Sequence, residues 1–413
     1  MRKTLVVMAV ALVASAAPAW AQDFGVEWID RVSHELQQER GPLKPKAVDF
    51  HALGGVAYYY DSNVFLEEDN EDSDSVIIPF AGGRFEYAEP RFAIEADLLA
   101  NYKYYSDLDD ARDDEQRFYV HARQADSRYA FDITQIVQRV SDPLDSVFLE
   151  RVSRVVSNTV PTLAVDINSV VALEAGANYQ IVRFEDDLIG NSSDNDLFRV
   201  EGALVYRTKW GLNLVAQGGY FNVAYANEQV AGAAPDSFGY FGHGGIRGEL
   251  LPRLQADILV GWASVESDYF LGTNVDRNDD SGSAVVHLRY EASERVVFTG
   301  DYTRMYTFGV QGDPWQRVNA VRVGGQFQAT DEFLLKVRLQ ADNADSALGV
   351  ERDYIAAGAS ASYKLFTYRG LTGPASAILE AGGTWRTGET SGNVASSVDF
   401  DGFIIHVGLA LNY

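Results

Sequence analysis

Basic side chains alternate with apolar ones along much of this chain. Lys103, Arg117, Arg123, Arg199, Arg253, Arg289, Arg322, Lys336 and Arg338 fall on the polar side of that alternation, with Arg128, Arg207, Arg247 and Arg295 alongside. Glu95, Asp97, Asp132, Glu174, Glu201, Glu249, Asp257, Asp301 and Asp342 share the same side. Two kinds of chemistry suit such a set. The charges can pair across neighbouring segments and stiffen a wall. The slight excess of bases can also make a field that favours an anionic solute, as rings of Arg and Lys do in pores. One wall can do both.

Other titratable groups cluster differently. Segment 61–75 carries Asp61, Glu67, Glu68, Asp69, Glu71, Asp72 and Asp74 with no base, and 106–116 carries Asp107, Asp109, Asp110, Asp113, Asp114 and Glu115 against Arg112. Carboxylates at alternate positions suit Ca²⁺, which would bridge such loops to anionic lipopolysaccharide. No segment has the full calcium-loop pattern with its Gly and final Glu, so no metal ligands are assigned. Solvated loops held apart by repulsion are the plainer reading. The histidines are His34, His51, His121, His243, His287 and His406. None has a serine two residues on. There is no nucleophile elbow, no Gly-rich phosphate loop and no His-Glu-x-x-His, so no catalytic residue and no cofactor is assigned. A His–Asp or His–Ser pairing in space stays open.

The elements that must position these groups read as strands. In 91–105, Phe92, Ile94, Ala96, Leu98, Ala100, Tyr102 and Tyr104 face one way, and Arg91, Glu95, Asp97, Asn101 and Lys103 the other. Segments 253–262 and 332–342 alternate in the same way. From Val48 onward the pattern is strand after strand, with short turns and long polar segments taking turns as connections. This predicts an all-β, transmembrane, antiparallel up-and-down barrel of about eighteen strands, with sixteen as the alternative because 151–165 and 366–374 read poorly. A charged face opposite an apolar one then means a wet interior and a lipid-facing exterior. Tyr58, Tyr60, Tyr102, Tyr104, Tyr220, Tyr240, Tyr302, Tyr306 and Trp385 are expected in aromatic girdles at the two interfaces.

The ends agree with an exported barrel. Residues 1–21 read as a signal peptide, with Arg2 and Lys3, an apolar run from Leu5 to Val13, and Ala19-Trp20-Ala21 before the cut. Residues 22–46 form a periplasmic segment with a short amphipathic helix, carrying Phe24, Trp28, Val32 and Leu36 on one stripe. It could rest under the barrel, plug the lumen or meet a periplasmic partner. Residues 47–413 make the barrel. The formal charge of −25 argues against nucleic acid, and the chain has no cysteine. The last strand ends on Gly408, Leu411 and Tyr413, which resembles the C-terminal assembly signal of outer-membrane barrels, with Val407 where a polar residue is usual. That resemblance implies recognition by the barrel-assembly machinery and a place in outer-membrane lipid.

Tyr60-Asp61-Ser62-Asn63-Val64-Phe65 closes the first strand. With Tyr60, Asp61, Asn63 and Phe65 in these places it resembles the opening strand and first turn of the β-barrel porin 2 family. The resemblance implies a channel that exports or passes a polysaccharide, together with periplasmic export components, and no established catalytic residues. Asp61 and Asn63 are expected to cap the turn through side-chain to backbone hydrogen bonds. If the solute is anionic, the arginines would attract its acidic groups. The alternatives are a general or specific solute uptake porin, and a structural or adhesive barrel acting through its acidic loops.

Overall fold

The computed structural model describes residues 47–64, 73–108, 113–140, 153–185, 194–226, 236–267, 278–308, 314–347, 349–369, 374–392 and 398–412. The signal peptide, the 22–46 segment, Phe65, Tyr413 and most of the acidic loop residues lie outside them.

Every described element is a strand. The first six are β1 (Ala47–Asp61), β2 (Asp74–Ala88), β3 (Phe92–Tyr105), β4 (Asp113–Ala125), β5 (Tyr129–Val140) and β6 (Arg154–Asp166). Then come β7 (Val171–Phe184), β8 (Asn195–Arg207), β9 (Leu212–Tyr225), β10 (Ser237–Leu251), β11 (Leu254–Ser267) and β12 (Asp279–Ser293). The last are β13 (Val296–Phe308), β14 (Trp315–Gln328), β15 (Phe333–Ser346), β16 (Val350–Arg369), β17 (Pro374–Gly392) and β18 (Val398–Asn412). Each pairs antiparallel with its neighbours in sequence, and β1 also pairs with β18, so the 18-stranded sheet closes on itself. The larger of the two strand counts is correct. Segment 151–165 supplies most of β6, and 366–374 spans the connection from β16 to β17.

Closure removes both sheet edges, so no row of backbone N–H and C=O groups faces outward unpaired. The alternation then sorts side chains into two faces. Phe50, Leu98, Val260, Val337, Ile405 and Leu411 point out and are exposed, while Lys103, Asp132, Asp257, Asp342, Glu380 and His406 point in and are buried. Strands of this length, rising about 3.3 Å per residue and tilted about 45°, are tall enough for a hydrocarbon layer of roughly 25–30 Å.

The inward face is not uniformly polar, in contrast to the expected wet interior. Ala57, Tyr59, Val76, Ile78, Phe80, Leu99 and Ile404 form one buried apolar panel on the inner side of β18, β1, β2 and β3. Phe241, Ala263, Val265, Tyr306 and Trp315 form another near the long-connection end of β10 to β14. The first has a local cause. Phe80 lies across the ladder from Gly55, and a Cβ on that glycine would sit 2.4 Å from the Phe80 ring. Phe241 covers Gly219 in the same way. A ring laid flat over a cross-strand glycine hides its own apolar surface and lets the wall curve.

Candidate functional site

Among the described residues the inner wall is the one large polar surface that the strands hold rigidly, and its charges are mostly paired. Lys103 Nζ lies 2.6 Å from Glu115 Oε1, with side chains 1% and 3% exposed. Arg123 lies 3.7 Å from Asp132. Arg199 lies 2.9 Å from Glu201, and its guanidinium stands 4.5 Å over the Phe241 ring. Arg289 lies 3.1 Å from Glu291. Arg117 stands 5.8 Å over the Tyr119 ring. Arg322, Lys336 and Arg338 sit together on the inner face of β14 and β15, with Arg338 donating to Gln340 at 2.8 Å. On that panel bases outnumber acids. The reverse holds on β2 and β3, where Arg84 alone meets Glu86, Glu95 and Asp97.

Arg253 is not on the wall, which corrects its expected inward position. It occupies the turn between β10 and β11 with φ 69°, is exposed, and donates to the Ala292 carbonyl at 3.1 Å. Alternation along β11 starts at Leu254, so Arg253, one residue earlier in a left-handed turn, does not follow the parity of Gln255 and Asp257. Arg128 and Arg295 are turn residues as well.

Sequence reasoning placed Asp132, Glu174, Asp257 and Asp301 on the wall without their partners, and it missed Glu380. Arg247 bridges Asp257 and Glu174 at 2.8 Å each, and the second bond crosses β8 and β9. His287 lies 2.6 Å from Asp301, and His121 lies 3.3 Å from Asp132. Glu380 accepts from Ser362 at 2.5 Å and lies 3.6 Å from His406. His243 Nε2 is 2.9 Å from Ser283 Oγ, whose hydroxyl donates to the Arg304 carbonyl at 2.9 Å. With its single proton committed there, Ser283 can only accept from the imidazole. That is a structural link, without an activated nucleophile.

The opening motif acts at the barrel seam. Asp61 Oδ1 accepts from the Asn63 backbone N–H at 3.1 Å, the turn cap expected of it. Arg386 on β17 then donates to both Asp61 oxygens at 2.7 and 2.9 Å and to the Asn63 carbonyl at 2.7 Å. Asn63 Nδ2 donates to the Asp401 carbonyl at 3.1 Å. Tyr60 points outward and packs on Phe403, ring centroids 5.7 Å apart. At the other end of the seam, Gly408 pairs with Ala57 and Glu380, and Leu411 faces outward.

The rim at the long-connection end is also tied by charge. Asp74 accepts from the backbone N–H groups of Ser75, Ser106, Asp107 and Leu108 at 2.6 to 3.1 Å, so this carboxylate holds a connection in place. Arg139 joins Asp113 and Asp114 to Glu185, which lies just beyond β7. The hydrogen bonds from Arg139 hold the Glu185 carboxyl below its ordinary range. Among the described residues no group of three His, Asp or Glu is arranged to hold a metal.

The outer surface decides the setting. Exposed Tyr58, Tyr102, Tyr104 and Tyr240 mark the long-connection end, and Phe92, Tyr129, Tyr206 and Phe298 the short-turn end, with aliphatic residues between them. A closed barrel with such a band is built for lipid. The chain is an outer-membrane β-barrel. By the usual architecture of this class its short turns face the periplasm. Tyr306 departs from the expected girdle: it is buried, edge-to-face with Trp315 at 5.4 Å.

No family model matches the chain. No curated protein matches it either. Among solved structures it is similar to OccK2 (OpdF) of Pseudomonas aeruginosa at 12% identity and TM-score 0.46, covering 89% of this chain and 99% of that one. It is similar to the outer membrane protein OpdK of the same organism at 11% identity and TM-score 0.43, covering 88% and 99%. The FrpB iron transporter of Neisseria meningitidis is similar at 10% identity and TM-score 0.45, covering 91% and 84%.

Proposed function

We propose that the barrel is a passive, non-catalytic channel for hydrophilic solutes, and that its cargo is a polysaccharide chain. The observation that carries this reading is the inner wall of neighbouring acid–base pairs, from Arg84 through Arg247 to His287. Such a wall offers hydrogen bonds along its length and holds no single solute strongly, which suits a polymer that must keep moving. The resemblance of Tyr60, Asp61 and Asn63 to the β-barrel porin 2 family supports the same cargo. Arg322, Lys336 and Arg338 would favour acidic groups on it. Barrel-assembly factors, lipopolysaccharide and periplasmic export components are its proposed partners.

Uptake of small solutes is the second reading, favoured by the mixed charge of the wall, which imposes no polymer. Deleting the gene separates the two. Polysaccharide export predicts less polysaccharide at the cell surface and more in the periplasm, with small-sugar uptake unchanged. Slower uptake with surface polysaccharide intact would overturn the export reading.

A further inference from the structure

The inner face of β4 to β10 carries a half-open pocket just above the short turns. Strand register brings small residues together as its floor. Ala130 pairs with Ala164, Ala164 with Glu174, and Glu174 with Ala203. In the next row, Thr162 pairs with Gly176 and Gly176 with Glu201. The short side chains leave a trough, and the longer ones on either side stand up as its walls.

The wall charges are committed to one another. Arg247 meets Glu174 at 2.8 Å, Arg207 meets Asp166 at 2.5 Å, and Glu201 is held by Arg199 at 2.9 Å. Arg123 shares Asp132 with His121. Arg128 stands exposed at the rim. Inside the trough, away from Arg128 at the rim, an ionic ligand would have to displace one of these partly buried partners. The uncommitted hydrogen-bonding capacity inside the trough is neutral. The Thr162 hydroxyl and the Gln217 amide line it and make no side-chain hydrogen bond to another described residue. A hydroxyl both donates and accepts, so it can also bridge a guanidinium and a carboxylate without separating them.

We infer that this trough binds a neutral, hydroxyl-rich solute of the sugar type. The C–H face of a pyranose lies on Ala164, Gly176 and Ala203, and its hydroxyls meet Thr162, Gln217 and the paired charges. The site deepens the channel reading, because it gives passing solute a stop on the periplasmic side. Its role in transport rests on that reading, whereas binding itself does not require conduction.

The test is isothermal titration calorimetry on the refolded full chain in detergent micelles, with maltohexaose as the probe. An oligogalacturonate of equal length and spermine supply anionic and cationic comparators. Saturable maltohexaose binding is expected, with both comparators weaker by about tenfold or more, a factor that corresponds to about 1.4 kcal/mol. Ala203→Trp fills the trough and should weaken binding by at least about tenfold, whereas Ala177→Trp on the lipid side of β7 should not. Thr162→Val supplies a gentler change if Ala203→Trp fails to fold, and should weaken binding as well. No saturable binding of maltohexaose, tighter binding of the oligogalacturonate, or binding indifferent to every trough variant would each overturn the site. A protein that binds but does not conduct keeps the site and removes the channel. One that conducts without binding does the reverse.

Discussion

Lys103 shows how far a wall charge can be from a solute. The Lys103–Glu115 pair is almost wholly buried at 2.6 Å, and Asn101 Nδ2 donates to the same carboxylate at 3.2 Å. Removing one partner leaves a buried charge uncompensated, which costs about 3–5 kcal/mol. Lys103→Met is therefore expected to lower the stability of the refolded barrel by that order in urea titrations. Adding Glu115→Gln should restore most of the loss, since the new amide oxygen would still accept from Asn101. Glu185 gives the pH counterpart. Its carboxyl lies below the ordinary value of about 4.3 because Arg139 bonds it. A depressed pKa contributes stability that is present above the ordinary value and lost as pH falls through the lowered one. The Arg139–Glu185 clamp should therefore hold unchanged at neutral pH and release only as pH falls below the ordinary carboxylate range. Hydrogen exchange at the end of β7 measures this. Glu185→Gln should abolish the acid step, and a release near neutral pH would contradict the assignment. The contribution is small, because the Glu185 side chain is 44% exposed.

At the scale of the strand, the seam depends on one arginine. Arg386 ties Asp61 and the Asn63 carbonyl, at the end of β1, to β17, while Ser62 and Phe403 exchange hydrogen bonds between β1 and β18. Arg386→Ala leaves a buried Asp61 without its clasp and should cost about 3 kcal/mol. The barrel would then lose its fast, folded gel mobility at a lower temperature. An unchanged melting profile would show that strand pairing alone holds the seam. Alternation made most strands legible, because a one-residue slip would turn Leu98 or Val337 from lipid into the lumen. It could not reveal the cap and clasp together, since Asp61 and Arg386 are 325 residues apart. Nor could it show Phe80 over Gly55, because an inward Phe reads like any strand-forming residue. Arg253 was misplaced for a related reason: β11 begins at Leu254, and alternation does not carry back into a turn residue with φ 69°. The wall bases were readable one at a time. Their neutralisation by Glu115, Asp132 and Asp257 depends on cross-strand neighbours that no single segment displays.

Across the whole molecule, a strongly acidic chain encloses a nearly balanced wall. The charge is uneven around the circumference, basic on β14 and β15 and acidic on β2 and β3. Ions should therefore feel opposed panels, and net selectivity should be weak. Arg322, Lys336 and Arg338 should set the remaining bias toward chloride, and Lys336→Gln with Arg338→Gln should move it toward potassium. Arg253→Gln, in its turn, should change nothing. The most direct test of the central claim, that this barrel is an aqueous channel, is single-channel recording of the refolded protein in a planar bilayer under a KCl gradient. Stable conductance steps are expected, with a reversal potential slightly favouring chloride. A folded, inserted barrel that passes no current would contradict the claim.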